Sequence, residues 1–170
     1  RARGGGRPRR GGGRPPVAAP WRPAPRRAPH GLHASRVAML LAVLARRARA
    51  PVGASDVYAA TVGGVRLSEP AADLAITLAV ASALRELPFP TDAVAIGEVG
   101  LAGDIRSVSG MPRRLAEAAR PGFRRAWVPR GVIGSGPIPE GLRGLEGGFG
   151  WGAGSRAREW PGPPTWGNRR

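Results

Sequence analysis

The chain has no cysteine and no lysine, and it has only two histidines among its 170 residues. Without cysteine, neither a disulfide framework nor a cysteine-ligated zinc site can form within it. The histidines, His30 and His33, have no cluster of other metal ligands beside them in the sequence. We therefore predict that both are solvated loop residues and that this chain holds no metal.

The sequence also lacks any apolar run that approaches the roughly 18 residues of a membrane-spanning helix. No secretory signal peptide is visible at its start. The length allows one domain of ordinary size plus tails. Because the chain does not begin with methionine, we predict that it is a fragment of a longer protein.

Basic charge is abundant but unevenly distributed. The formal net charge is +16, and residues 1–30 hold nine arginines and no acid. Residues 31–130 hold thirteen arginines against eight acids, and residues 131–170 hold five against three. Clustered arginine can bind nucleic-acid phosphates, although a GC-rich coding sequence also favours arginine, glycine, proline and alanine. We predict a disordered Arg/Gly/Pro-rich segment over 1–30 and a disordered, low-complexity tail over 131–170.

The segment between these tails alternates between helical and strand patterns. Apolar residues at helical spacing predict a first helix from Ser35, as its N-cap, to about Ala48. The later predicted elements are a strand over 56–65, a helix over 70–86 capped by Ser68, strands over 93–97 and 104–106, a helix over 110–120 and a strand over 123–128. This alternation predicts a two-layer α/β (α+β) domain over residues 31–130.

Two stretches of this segment carry a more specific pattern. The first runs from Gly63 to Ala75 and the second from Gly97 to Arg106, and each is typical of a strand, a glycine turn and a second element. With flanking matches over residues 31–128, they resemble the Lon-protease-like domain that ends proteins of the bacterial RadA/Sms family. The resemblance implies a Lon proteolytic-domain-like (ribosomal protein S5 domain 2-like) fold.

The resemblance also locates the two residues that a Ser–Lys peptidase of this type uses, and neither is present. Ala71 stands where a serine starts the helix, and Asp104 stands where a lysine follows the glycine turn. Alanine has no nucleophile, and aspartate cannot replace the neutral amine that accepts the serine proton. Ser68 and Ser109 are better explained as helix caps. We therefore predict that this chain is not a peptidase.

Four carboxylates, those of Glu69, Asp73, Glu98 and Asp104, lie near the two stretches. They could imitate an acid–base or metal site, but no histidine or other assisting group accompanies them in the sequence. Helix-dipole, ion-pair and solvation roles explain them more simply.

For whole proteins of the family, the resemblance implies a hexameric, ATP-driven protein that acts in recombinational repair by branch migration of DNA. ATP and magnesium belong to its RecA-like ATPase, and zinc belongs to its four-cysteine motif. The glycine runs 4–6 and 11–13 lack the lysine and the following helix of a phosphate-binding loop. We therefore assign no cofactor to this chain.

Our primary hypothesis is a non-catalytic, cytoplasmic Lon-like scaffold that assembles into a homo-oligomeric, hexameric ring on DNA. The DNA is expected to be single-stranded or branched, and the family implies a recombinase of the RecA type as a protein partner. The candidate DNA contacts are Arg66, Arg106, Arg113 and Arg114. The alternatives are ordinary solvated arginines, an ATP-dependent Lon-family Ser–Lys peptidase fragment, and a non-functional gene fragment.

Overall fold

The computed structural model describes residues 24–86 and 88–146. These residues form a mixed α/β structure, which confirms that part of the predicted fold class, whereas the Lon-like topology stays a prediction. The α-helices are α1 (Ala34–Arg47), α2 (Asp73–Arg85) and α3 (Met111–Ala119). The strands are β1 (Arg27–His30), β2 (Val57–Ala60), β3 (Ala93–Ala95), β4 (Glu98–Val99), β5 (Ile105–Arg106), β6 (Arg125–Val128) and β7 (Arg143–Glu146). No helix of this described part has both the length and the apolar character to cross a membrane.

Helix α1 is amphipathic, and its apolar side contributes to the core of the domain. Its buried side chains are Val37, Leu40, Leu41, Val43 and Leu44. The predicted N-cap at Ser35 is wrong by two residues, because His33 occupies that position. Arg46 and Arg47 lie in the last turn, where positive charge complements the helix dipole.

Residues 27–30, which we predict to be disordered, form β1 instead. This strand pairs in parallel with β2 along its whole length. The Arg27 guanidinium also donates hydrogen bonds to the carbonyl oxygens of Ser55 and Val52, at 2.5 and 2.7 Å. Composition does not reveal β1 because backbone pairing with a distant strand stabilises it. Residues 1–23 lie outside the described part of the chain.

Strand β2 is shorter than the predicted strand over 56–65. It ends at Ala60, and a 3₁₀ turn follows over Val62–Gly64. Gly63 and Gly64 have positive φ angles, of +74° and +71°, a conformation that glycine adopts without steric penalty. The β-branched composition therefore predicts the presence of the strand but not its end.

Helix α2 starts later than predicted, after a 3₁₀ turn over Pro70–Ala72. Ser68 is not its cap, and Glu69 precedes the turn without forming a side-chain cap hydrogen bond. Instead, the Leu74 amide donates a hydrogen bond to the Gly97 carbonyl oxygen, at 3.0 Å. A backbone contact with the neighbouring strand segment therefore fixes the start of the helix.

Folded structure extends beyond the predicted domain end at residue 130, up to residue 146. Strand β7 pairs in parallel with β6, which also pairs in parallel with β3. Val132 and Leu142 are buried in one apolar cluster with residues of α3 and β6. The prediction of a disordered tail is therefore wrong for residues 131–146, because these two side chains anchor the segment. Residues 147–170 lie outside the described part.

Strands β4 and β5 form an antiparallel hairpin around the predicted glycine turn. The Gly100 amide donates to the Asp104 carbonyl oxygen, and the Gly103 amide donates to the Gly100 carbonyl oxygen, both at 2.9 Å. The Asp104 side chain fills the space into which a side chain at position 100 would project. Glycine at this position therefore permits the close approach of the carboxylate to the turn.

A buried carboxylate joins three of these elements. Asp73, at the start of α2, is 1% exposed. Arg36 of α1 donates two hydrogen bonds to it, one from Nε at 2.8 Å and the other from Nη2. The Val99 amide of β4 donates a third, at 3.1 Å. The hydrogen bond with Asp73 is the main cause that raises the pKa of Arg36.

We expect Asp73→Ala to lower the free energy of unfolding by about 3 kcal/mol, because it leaves the Arg36 guanidinium and the Val99 amide without their acceptor. Urea unfolding followed by circular dichroism measures the change. Glu140→Ala, at an exposed carboxylate, is the control and should change stability much less. A loss below about 1 kcal/mol for Asp73→Ala would show that the carboxylate does not hold the elements together.

Candidate nucleic-acid interface

An open cleft lies at the start of α2, where the sequence resemblance places the peptidase serine. Its volume is about 390 Å³. The lining residues come from the segment before α2, from the position directly after β3 and from α3: Arg66, Leu67, Ser68, Glu69, Ala71, Ala72, Ile96 and Arg114. The Leu67 amide donates to the Gly31 carbonyl oxygen at 2.8 Å, and this bond holds the segment before α2 in place.

The two positions of the expected catalytic pair do not meet in this cleft. Ala71 lines it, and the Ala71 carbonyl oxygen accepts a hydrogen bond from the Gly97 amide at 2.9 Å. Asp104 does not line it, and its carboxylate accepts a hydrogen bond from Arg106 Nε at 2.5 Å. Two cations, Arg66 and Arg114, share the cleft with Ala71, and a guanidinium is a poor proton acceptor.

The structure groups three of the four candidate DNA-binding arginines. Arg66 and Arg114 line the cleft, and Arg113 and Arg114 line an adjoining cavity of about 580 Å³ at the start of α3. We call Arg66, Arg113 and Arg114 the arginine cluster. Arg106 lies on β5 and lines neither cavity.

Members of the arginine cluster differ in their partners. Arg114 forms an ion pair with Glu69, and its Nε donates to the Ser109 carbonyl oxygen at 3.0 Å. Arg66 and Arg113 are exposed, and no carboxylate in the described part of the chain forms an ion pair with either. These two guanidinium groups are therefore the members most available to an anion from solvent.

The carboxylates near the two sequence stretches each have an arginine partner. The pairs are Glu69–Arg114, Asp73–Arg36, Glu98–Arg36 and Asp104–Arg106. Across residues 24–86 and 88–146, no group of three or more histidine or acidic side chains is arranged to hold a metal ion. The pairing gives these carboxylates structural roles within the described part.

A polar pocket of about 250 Å³ lies beside the cleft and shares residues 67–69 with it. No sequence pattern marks this pocket, because the two histidines stand beside a segment whose composition predicts disorder. His33 Nδ1 and Ser35 Oγ lie 3.3 Å apart there. Asp73 also lines the pocket, but Arg36 already binds its carboxylate. No described carboxylate orients the imidazole, so the residues do not form a hydrolytic triad.

Comparison with known proteins finds relatives named DNA repair protein RadA in several bacteria. The chain is 54% identical over 129 residues to that of Mycobacterium tuberculosis, 48% over 119 residues to that of Escherichia coli and 38% over 117 residues to that of Streptococcus pyogenes. The alignments cover 76%, 70% and 69% of this chain, and 26% of each relative. The chain therefore spans about a quarter of the length of these relatives.

A family model described as subunit ChlI of Mg-chelatase matches residues 63–131. The range begins in the 3₁₀ turn after β2 and continues past the end of β6. Every residue that lines the cleft falls within it. The similarity to this second group of proteins therefore includes the whole lining of the cleft.

We expect the pKa of Asp104 to lie below its ordinary value of 3.8, because the hydrogen bond from Arg106 stabilises the carboxylate. Arg106→Gln should raise this pKa toward 3.8. Since the folded pKa is the lower one, the stability from this pair is present above about pH 4 and is lost as pH falls through the folded pKa. A carboxyl-carbon NMR titration measures the midpoint directly.

Asp92 provides the control within the same titration. Its pKa is also lowered, chiefly by the hydrogen bond from Arg125, and Arg106→Gln leaves this pair intact. An Asp104 midpoint that stays unchanged in the variant, or an Asp92 midpoint that moves with it, would contradict the assigned cause.

Proposed function

We propose that this chain is the Lon-like part of a RadA-type DNA repair protein, in which it acts as a non-catalytic scaffold that contacts DNA. The observation that carries this proposal is the identity of 54% and 48% with proteins named DNA repair protein RadA, over 76% and 70% of the chain. The two sequence stretches behind the family resemblance contribute to the cleft and form the hairpin beside it.

The arginine cluster supports DNA contact at the cleft. Arg66 and Arg113 are exposed cations without ion pairs to described carboxylates. An arginine that neutralises a phosphate releases condensed counterions from the nucleic acid, so the affinity depends steeply on salt. Arg106 belongs to the proposed set as well, but we expect it to contribute less because Asp104 offsets part of its charge.

The composition of the cleft supports a scaffold without peptidase chemistry. Ala71 supplies no nucleophile, and Ser68 shares the cleft with no neutral amine. Arg114 forms an ion pair with Glu69, and a guanidinium is a poor proton acceptor. We therefore do not carry the Ser–Lys peptidase alternative further.

The finer parts of the proposal rest on the family resemblance. They are a hexameric ring, action on single-stranded or branched DNA in branch migration, cooperation with a recombinase of the RecA type, and a cytoplasmic location. This chain has no cysteine to hold the zinc of the family, and it has no lysine-containing phosphate loop to hold ATP with its magnesium. Sedimentation equilibrium of the chain tests the ring.

Removing two charges of the arginine cluster should weaken DNA binding more than removing two charges elsewhere. In the 170-residue chain, Arg66→Gln combined with Arg113→Gln should raise the Kd for a labelled single-stranded oligonucleotide by about tenfold at low salt. The slope of log affinity against log salt should fall by about one to two. Fluorescence anisotropy over a salt series measures both quantities.

The matched control is Arg124→Gln combined with Arg130→Gln, which removes the same charge from exposed positions that line neither cavity. Both double variants keep the arginine-rich ends of the chain, so any contribution of those ends is equal. Equal weakening in the two would contradict a contact at the cleft. Absence of binding by the unaltered chain would contradict the DNA-binding proposal altogether.

Restoring the serine alone should not create a peptidase. Ala71→Ser supplies a hydroxyl at the start of the helix, but the cleft still offers no neutral amine to accept its proton. We expect no release of dye from labelled casein, above the buffer blank, by either the unaltered chain or the variant. Hydrolysis by Ala71→Ser that a serine-reactive fluorophosphonate abolishes would refute this assignment.

A further inference from the structure

A second groove lies between β2 and α2 and shares no residue with the cleft. Its volume is about 580 Å³. On the strand side, the groove is lined by all four residues of β2: Val57, Tyr58, Ala59 and Ala60. Successive side chains of a strand point to opposite faces. A groove that touches all four therefore runs along an edge of the strand.

This edge of β2 has no neighbouring strand among the described residues. Within the described part of the chain, β2 pairs with β1 alone, in a two-stranded parallel sheet. The amides of Val57 and Thr61 donate to carbonyl oxygens on the β1 side. Because a parallel ladder alternates, the peptide groups of Tyr58 and Ala60 point the other way, along the groove. The groove therefore presents backbone donors and acceptors to a further strand.

The opposite wall of the groove is an uncharged face of α2. Its lining residues are Ile76, Ala79, Val80, Ala83 and Leu84. None of the described residues that line the groove carries a formal charge, although the chain as a whole carries a net charge of +16. Burying an unpaired charge against such a wall is costly. An occupant that complements the groove is therefore uncharged, and apolar on the side that contacts α2.

We propose that this groove binds an extended, uncharged peptide segment of a partner protein, which adds to the free edge of β2 as a further strand. The peptide groups of Tyr58 and Ala60 bind its backbone, and its alternate apolar side chains pack against the Ala79 face of α2. The ends of this chain do not match that chemistry. Residues 1–23 and 147–170 contain no run of four residues free of glycine, proline and arginine.

The first experiment uses the full chain and a synthetic probe. The probe is a peptide of alternating threonine and valine with an uncharged dye, which presents one apolar face when extended. Fluorescence anisotropy should give a Kd below about 1 mM, with little dependence on salt. The same peptide with N-methyl groups on alternate amides keeps its side chains but loses backbone donors, and it should bind at least about tenfold more weakly.

Variants of the chain locate the probe. Ala79→Glu places a carboxylate on an exposed wall of the groove and should weaken binding of the probe by at least about tenfold. Ala75→Glu is the matched control, since it makes the same change on an exposed part of α2 that does not line the groove. Ala60→Pro removes an amide that points along the groove while the bonds to β1 stay, and it should weaken binding with an unchanged circular dichroism spectrum.

Three outcomes would overturn the proposal: no binding of the probe at about 1 mM, equal affinity for the N-methylated peptide, or equal weakening by Ala79→Glu and Ala75→Glu. If the unaltered chain self-associates and Ala79→Glu abolishes this, the groove binds a second copy of the chain and not a partner peptide. The oligonucleotide affinity of Ala79→Glu should match that of the unaltered chain, because the groove and the cleft share no residue. This readout separates the peptide proposal from the DNA proposal.

Discussion

The buried carboxylate of Asp73 is the constraint on which the arrangement of the cleft depends. A carboxylate that loses its water is unstable unless hydrogen bonds replace that water, and here the replacements come from other elements. Arg36 of α1 and the Val99 amide of β4 supply them. The first turn of α2 therefore has one orientation relative to α1 and the hairpin, and this orientation places Ala71 in the cleft wall.

The same network extends to the surface through Arg36. This guanidinium is about one-third exposed and lies 3.7 Å from a carboxylate oxygen of Glu98, in addition to its bonds with Asp73. On the other side, the Thr77 hydroxyl donates to the Asp73 carbonyl oxygen at 2.7 Å. The residue that starts α2 is thus held through both its side chain and its backbone. The hydrogen bonds that hold this residue involve no side-chain atom of Ala71, two residues earlier.

The elements that sequence patterns predict are those whose own residue types or spacing mark them. The apolar spacing in α1 and α3, and the glycine turn between β4 and β5, are readable because the partners lie within a few residues. Strands β2, β3 and β6 also pair in parallel with a strand far along the chain, but each contains valine, which favours strands. Strands β1 and β7 are not readable, because they contain no β-branched residue and depend on pairing with a distant strand. The predicted start of α2 and the predicted end of β2 are wrong. A backbone hydrogen bond to Gly97 sets the start of α2, and the positive φ angle at Gly63 follows the end of β2.

In the candidate site, too, the sequence predicts some contacts between residues and not others. Proximity of Arg113 and Arg114 follows from their place at the start of one helix, whereas the approach of Arg66 to them depends on how the segment before α2 crosses the domain. The pairing of Asp104 with Arg106 is a two-residue contact along one strand edge. It removes Asp104 from the cleft where the family pattern suggests a catalytic partner. Residue identity alone cannot show this, because the direction of a side chain is set by the hairpin.

The position of β1 limits where the N-terminus of this domain can be truncated. Removing the chain before Gly31 leaves intact every residue of the predicted 31–130 domain, yet it strips β2 of its neighbour and of the Arg27 hydrogen bonds to Ser55 and Val52. A short, uncharged strand would then have two bare edges, and bare edges promote joining of one molecule to the next in open-ended stacks. The four residues of β1 therefore cover one edge of β2, and a protein shortened by them would aggregate more readily.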